Sequence, residues 1–148
     1  MLSEIMKEDY IQLRVQAEDW EDAIRKSAVP LLKDGAITQS YVDAMITSVK
    51  ETGPYIAITP HLALAHARPE YGAKEIAIGI TTVVPPVEIG NKENDPIKYI
   101  FCLSAVDQKT HLNAMSALAR LLDKDEFYNM LDTAKDAKEV LEYIKAYE

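Results

Sequence analysis

Apolar and polar residues alternate along this chain in two rhythms, one of period two and one of period 3.6. Residues 11–15 (IQLRV) alternate strictly and predict a first strand. Trp20, Ala23, Ile24, Ser27, Ala28, Leu31 and Leu32 then follow helical spacing. Pro30 lies inside that run. It lacks an amide donor and crowds the preceding turn, so the helix should kink or split there. Gly35 offers a stop. A second helix is expected over about residues 39–51, with Tyr41, Ala44, Met45, Ser48 and Val49 inward and Gly53-Pro54 ending it.

The rhythm shortens after that. Residues 55–58 (YIAI) and 62–67 (LALAHA) are short apolar pieces broken by Pro60. Residues 75–83 (EIAIGITTV) put Ile76, Ile78 and Ile80 on one face and Ala77, Gly79 and Thr81 on the other. The small face predicts a closely packed helix. Residues 83–96 read as a loop with room for a little edge strand at 87–89. Residues 97–105 (IKYIFCLSA) are nearly all apolar, as expected of a central strand covered on both faces. A strongly amphipathic helix follows at 107–122, then two shorter ones at 125–131 and 137–146. Strands interleaved with helices predict an α/β fold, a three-layer α/β/α sandwich. The short links around 83–97 favour antiparallel pairing, hence a central mixed β-sheet. No repeat or flexible linker interrupts the pattern, so residues 1–148 are expected to form a single domain.

Composition narrows the function. With 148 residues, 48% of them hydrophobic, the chain can bury a real core. A net charge of -8 argues against nucleic acid or an anionic membrane as the main partner. The N-terminal stretch MLSEIMKEDY is acidic and has no signal-peptide run. Cys102 is the single cysteine, so no internal disulfide can form. Its place in the central strand suits an inert core thiol. A cytoplasmic protein is the expectation.

The chemistry rests on three histidines. His61 and His66 are five residues apart, a spacing that points them to opposite faces of a strand and turns them about 140° apart on a helix. Neither geometry suits one shared metal ion, and no cysteine or His-Glu-x-x-His pattern adds ligands. His61 follows Pro60 in a loop and is assigned no chemistry. His66 closes an apolar strand, and open α/β sheets place their ligands at strand ends. Arg68, two residues on, offers a planar cation suited to phosphate oxygens, or else a salt bridge with Glu70. His111 falls near the start of the 107–122 helix, behind an Asp107 N-cap, and heads a buried stripe of Met115, Leu118 and Leu122. The helix N-terminus disfavours imidazolium and favours an anion. Trp20 and Tyr41 read as core.

Two stretches, GPYIAITPHLALAHARPEYGAKEIAIGI and NDPIKYIFCLSAVDQKTHLNAMSALARLL, resemble the enzyme IIA domain of the sugar phosphotransferase system (PTS), in the mannitol–fructose superfamily and nearest the ascorbate-type IIA component. The specific parts are the strand ending in His-Ala-Arg-Pro-Glu and the Asp-x-x-x-His helix start about forty residues later. The resemblance covers almost the whole chain. It implies a phosphoryl carrier that accepts its group from the phosphohistidine of HPr and passes it to a cysteine of the IIB component. IIB then phosphorylates sugar entering through the membrane IIC component. By the same resemblance His66 is the phosphorylated nucleophile, His111 supports the phosphoryl group, and Arg68 stabilises its charge. No cofactor is implied, and homodimer formation is left open. The chain departs from the family pattern at Ala65, where proline is frequent, and at His61, where glycine is. Two other functions fit the same residues: a regulatory IIA-like phosphoprotein uncoupled from transport, and an anion-binding protein that is never phosphorylated.

Overall fold

In the computed structural model, which describes residues 2–148, the chain runs α1 (Leu2–Ile5), β1 (Ile11–Val15), α2 (Trp20–Lys33), α3 (Gln39–Thr52), β2 (Ala57–Thr59), β3 (Leu62–Ala65), β4 (Ala77–Val87), β5 (Ile97–Ser104), α4 (Gln108–Leu122), α5 (Asp125–Thr133) and α6 (Ala137–Tyr147). The strands form one sheet in the order β1-β4-β5-β3-β2. β1 runs parallel to β4, and β3 runs parallel to β5. The β4–β5 and β2–β3 pairs are antiparallel, so the sheet is mixed.

Alternation along the central strands divides the core in two. Ala63, Ala65, Ala77, Ile100 and Cys102 face α2 and α3, where Ile24, Leu31, Tyr41 and Met45 pack on them. Leu62, Leu64, Ile78, Ile80, Phe101 and Leu103 face the other way, against Leu118, Phe127, Leu131 and Ile144 of α4, α5 and α6. This is the α/β/α sandwich that the pattern predicts. The small face of β4 is where α2 comes closest. A Cβ on Gly79 would lie 3.0 Å from Leu31 Cδ1 and 3.2 Å from the Tyr10 carbonyl oxygen.

The structure narrows one expectation, since the helix at Pro30 is not split, and corrects two others. α2 is one helix through Pro30. Proline leaves the Lys26 carbonyl without its usual i+4 donor, and the Gln12 side chain supplies one: Nε2 donates to Lys26 O at 2.9 Å. The same nitrogen lies 3.0 Å from Thr81 Oγ1. Next, β4 does not stop at Val83. It continues to Val87, which pairs with Ile97, and the ladder shifts register between Thr82 and Val87. Pro85 and Pro86 sit exposed in that irregular stretch, where a missing N–H costs no ladder bond. Finally, the buried face of α4 is Ala114, Leu118 and Leu121, with His111, Met115 and Leu122 half-buried along its border.

Candidate functional site

Parallel pairing brings the two distant histidines together. The β3–β5 register runs from Leu62 opposite Tyr99 to Ala65 opposite Cys102, so both strands end at the same edge of the sheet. His66 is the first residue past β3. β5 ends at Ser104, and three residues later Asp107 caps α4. The Asp107 carboxylate accepts from the Thr110 amide at 2.8 Å, and Thr110 Oγ1 reaches back to the Asp107 amide at 3.4 Å. This capping box fixes the first turn. His111 follows one residue on. Its ring centroid lies 5.7 Å from that of His66, with the planes tilted by 42°.

The hydrogen bond of His66 sets its tautomer. Nδ1 lies 2.7 Å from the Leu64 carbonyl oxygen. A carbonyl only accepts, so Nδ1 carries the proton, and in the neutral ring Nε2 keeps a lone pair. His111 is held below the usual imidazole value of 6.5, first by burial and second by the nearby His66. The helix terminus, too, disfavours imidazolium at His111. The larger causes here are desolvation and the facing ring. Asp107, bonded to the Thr110 amide, stays below the ordinary carboxylate range.

Both imidazoles line an open cleft of about 1050 Å³. Its floor is the strand edge, and one wall is the exposed side of α3. Arg68 also lines it. Arg68 is exposed and, among the described residues, has no ion-pair partner, so the alternative bridge to Glu70 is not made. His66, His111 and Arg68 therefore border one space.

His61 does not join them. It precedes β3 as His66 follows it, about 16 Å away at the rise of an extended strand. Its φ is +70°, the left-handed region. With Pro60 before it and Thr59 paired to Leu62 across it, His61 takes the position of a tight turn that glycine usually fills. Its Nδ1 donates to Pro96 O at 2.8 Å.

Tyr41 is the residue that sequence reasoning placed only in the core. It is fully buried on α3. Its phenol oxygen accepts from the Ala67 amide at 3.0 Å and donates to the Leu103 carbonyl oxygen at 2.7 Å. The Ala67 carbonyl oxygen lies at 3.2 Å. Burial pushes the phenol up to about 12, so it stays a donor. The available signal was an aromatic hydroxyl at a buried position, since such hydroxyls need partners. Cys102 is buried and its thiol is pushed up to about 12 by desolvation, which fits an inert role. No helix among the described residues is long and apolar enough to cross a membrane.

Comparison with known proteins meets this geometry from the other side. The mannitol-specific cryptic phosphotransferase enzyme IIA component of Escherichia coli K12 is 37% identical over 144 residues, covering 97% of each chain. The solution structure of that enzyme from Escherichia coli superimposes with a TM-score of 0.88 at 36% identity, covering 98% of each chain. The ascorbate-specific PTS system EIIA component of Shigella boydii serotype 4 is 30% identical over 135 residues, covering 90% of this chain and 88% of that one. The complex of Escherichia coli mannitol IIA with phosphorylated mannitol IIB shares the fold, at a TM-score of 0.81 and 22% identity over 95% of this chain and 97% of that one. Residues 4–147 match the family described as phosphoenolpyruvate-dependent sugar phosphotransferase system, EIIA 2, and the chain belongs to that family.

Proposed function

We propose that the chain, acting as a single cytoplasmic domain, carries a phosphoryl group on His66 Nε2 between phospho-HPr and a PTS IIB component. One observation supports this more than any other. His66 spends its Nδ1 proton on Leu64 O, which leaves Nε2 as the nucleophilic nitrogen in a cleft shared with His111 and Arg68. In the forward step the Nε2 lone pair forms the N–P bond while the N–P bond of the phosphohistidine donor breaks. The leaving electron pair stays on the donor imidazole. A thiolate of IIB then attacks phosphorus, and the electron pair of the breaking bond returns to His66 Nε2. Little covalent help is needed in such a transfer, so catalysis lies in alignment and charge stabilisation. Arg68 supplies charge, and the neutral His111 supplies a hydrogen bond to a phosphoryl oxygen.

The relative in complex with phosphorylated IIB has the same fold, which supports a IIB acceptor here. This chain is similar both to a relative named for mannitol and to one named for ascorbate, which supports selection of the sugar elsewhere, by IIB and the membrane IIC component, rather than in this cleft.

Incubation with phosphoenolpyruvate, enzyme I and HPr tests the reading. The expected product is one acid-labile, base-stable phosphoryl group mapped to His66. A chain that takes no label under those conditions is an anion-binding protein instead. Labelling without onward transfer to any IIB component would favour a regulatory phosphoprotein.

A further inference from the structure

β3 and β5 are hydrogen-bonded neighbours as far as Ala65 and Cys102. Beyond that point the two chains part, one towards the turn at Pro69–Tyr71 and the other towards α4. The Tyr41 phenol is inserted at the fork. It takes the Ala67 amide of one branch and gives its own proton to the Leu103 carbonyl of the other. Ala67 is bonded directly to His66, and Leu103 leads through Ser104 to the cap of α4 and His111. The phenol is thus a spacer of fixed size between the two backbones that carry the facing rings. The ladder bonds hold one side of this fork and the capping box the other, and the two rings face each other across it at 5.7 Å.

We infer that Tyr41 is a positioning residue for phosphoryl transfer, setting the distance and orientation of His66 relative to His111 without touching the phosphoryl group. The inference rests on the phosphocarrier reading for its kinetic arm alone. Removing the hydroxyl would leave the Ala67 amide and the Leu103 carbonyl without their shared partner, and the branches would relax towards or away from each other. A displacement of about 1 Å at a reacting centre costs up to a hundredfold in rate.

The test is Tyr41→Phe, with Tyr99→Phe as its control. Tyr99 is also a buried residue, and its hydroxyl donates to Asp132 Oδ1 at 2.7 Å, outside the histidine cleft. Both variants lose one hydrogen-bonded hydroxyl and should melt at lower temperature. Only Tyr41→Phe should slow single-turnover transfer from phospho-HPr, by roughly tenfold, with the half-saturating donor concentration unchanged because the phenol is not on the docking surface. Nitrogen-15 spectra of the imidazoles supply the second arm. The wild-type His66 ring should show protonated Nδ1 and bare Nε2, and Tyr41→Phe should move both nitrogens towards tautomer averaging. Tyr99→Phe should leave the ring signals in place. Wild-type spectra and rate in Tyr41→Phe would overturn the inference, and so would equal slowing by Tyr99→Phe. If the wild type itself takes no label, the phosphocarrier reading fails, and the spectra decide on Tyr41 alone.

Discussion

His61 and His66 bracket the four residues of β3, one before its first residue and one after its last. Both are half-buried, and both donate Nδ1 to a backbone carbonyl, at 2.8 Å and 2.7 Å. By local bonding they are nearly the same residue. The difference lies in where the strand's two ends lead. At the His61 end the chain turns back tightly to β2, and the imidazole serves the turn. At the His66 end two parallel strands finish together, and the next helix delivers a second imidazole across the opening. What sets the His66 end apart is the convergence of two strand ends, since a histidine with a satisfied ring nitrogen is common to both cases.

The largest effect that would break this comparison is a swap of roles. His66→Ala should lose all labelling by phospho-HPr and keep its fold by circular dichroism. His61→Gly should be labelled at the wild-type rate. It should also melt within about 1 kcal/mol of wild type, since relief of a left-handed φ offsets one lost hydrogen bond. Label retained in His66→Ala would undo the contrast.

His111→Ala sharpens it next. His66 should still take the label, and transfer to IIB should slow roughly ten- to a hundredfold, the loss of a hydrogen bond to a charged group worth about 1.5–3 kcal/mol. Stopped-flow measurement in both directions is the check, and normal forward transfer would remove His111 from the site. Arg68→Ala should slow transfer by up to about tenfold. Its thermal stability should hardly change, because an exposed side chain with no ion-pair partner among the described residues contributes little to the fold.

The smallest effect is in pH. The folded-state value of His111 lies below 6.5, so as pH falls the unfolded chain takes up a proton at this residue before the folded one does. Its contribution to stability is whole above about 6.5 and is lost as pH falls through the folded-state value. Melting temperatures between pH 8 and 5 should therefore drop more steeply for wild type than for His111→Gln. Parallel curves would mean that the ring meets no such environment.

Period and punctuation made most of this legible. The strand of residues 11–15, the 39–51 helix and the apolar 97–105 strand stand close to where alternation and spacing put them. So does the tight approach of a helix to Gly79, which the small face of that strand announced. Long-range partners were not legible. Nothing near Pro30 says that a glutamine eighteen residues earlier will bond its turn. Nothing near Val84 says that an irregular proline stretch stays in the sheet until Val87. In the site, strand-end logic placed His66 and His111 on one edge, but their separation depends on Tyr41, whose partners lie twenty-six and sixty-two residues away. Nor does the sequence around His61 announce its left-handed backbone angle of +70°.

Gln12 has a consequence for assembly. Its amide nitrogen serves a helical carbonyl and a strand hydroxyl together. The carbonyl that Pro30 leaves open in α2 thus finds its partner on the edge strand, and a peptide of the helix alone would leave Lys26 O to water. On top of the β1–β4 pairing and the packing of α2 at Gly79, one side chain ties the first strand, the first long helix and β4 together. In hydrogen exchange they should open together, ahead of no neighbour and behind none of the three.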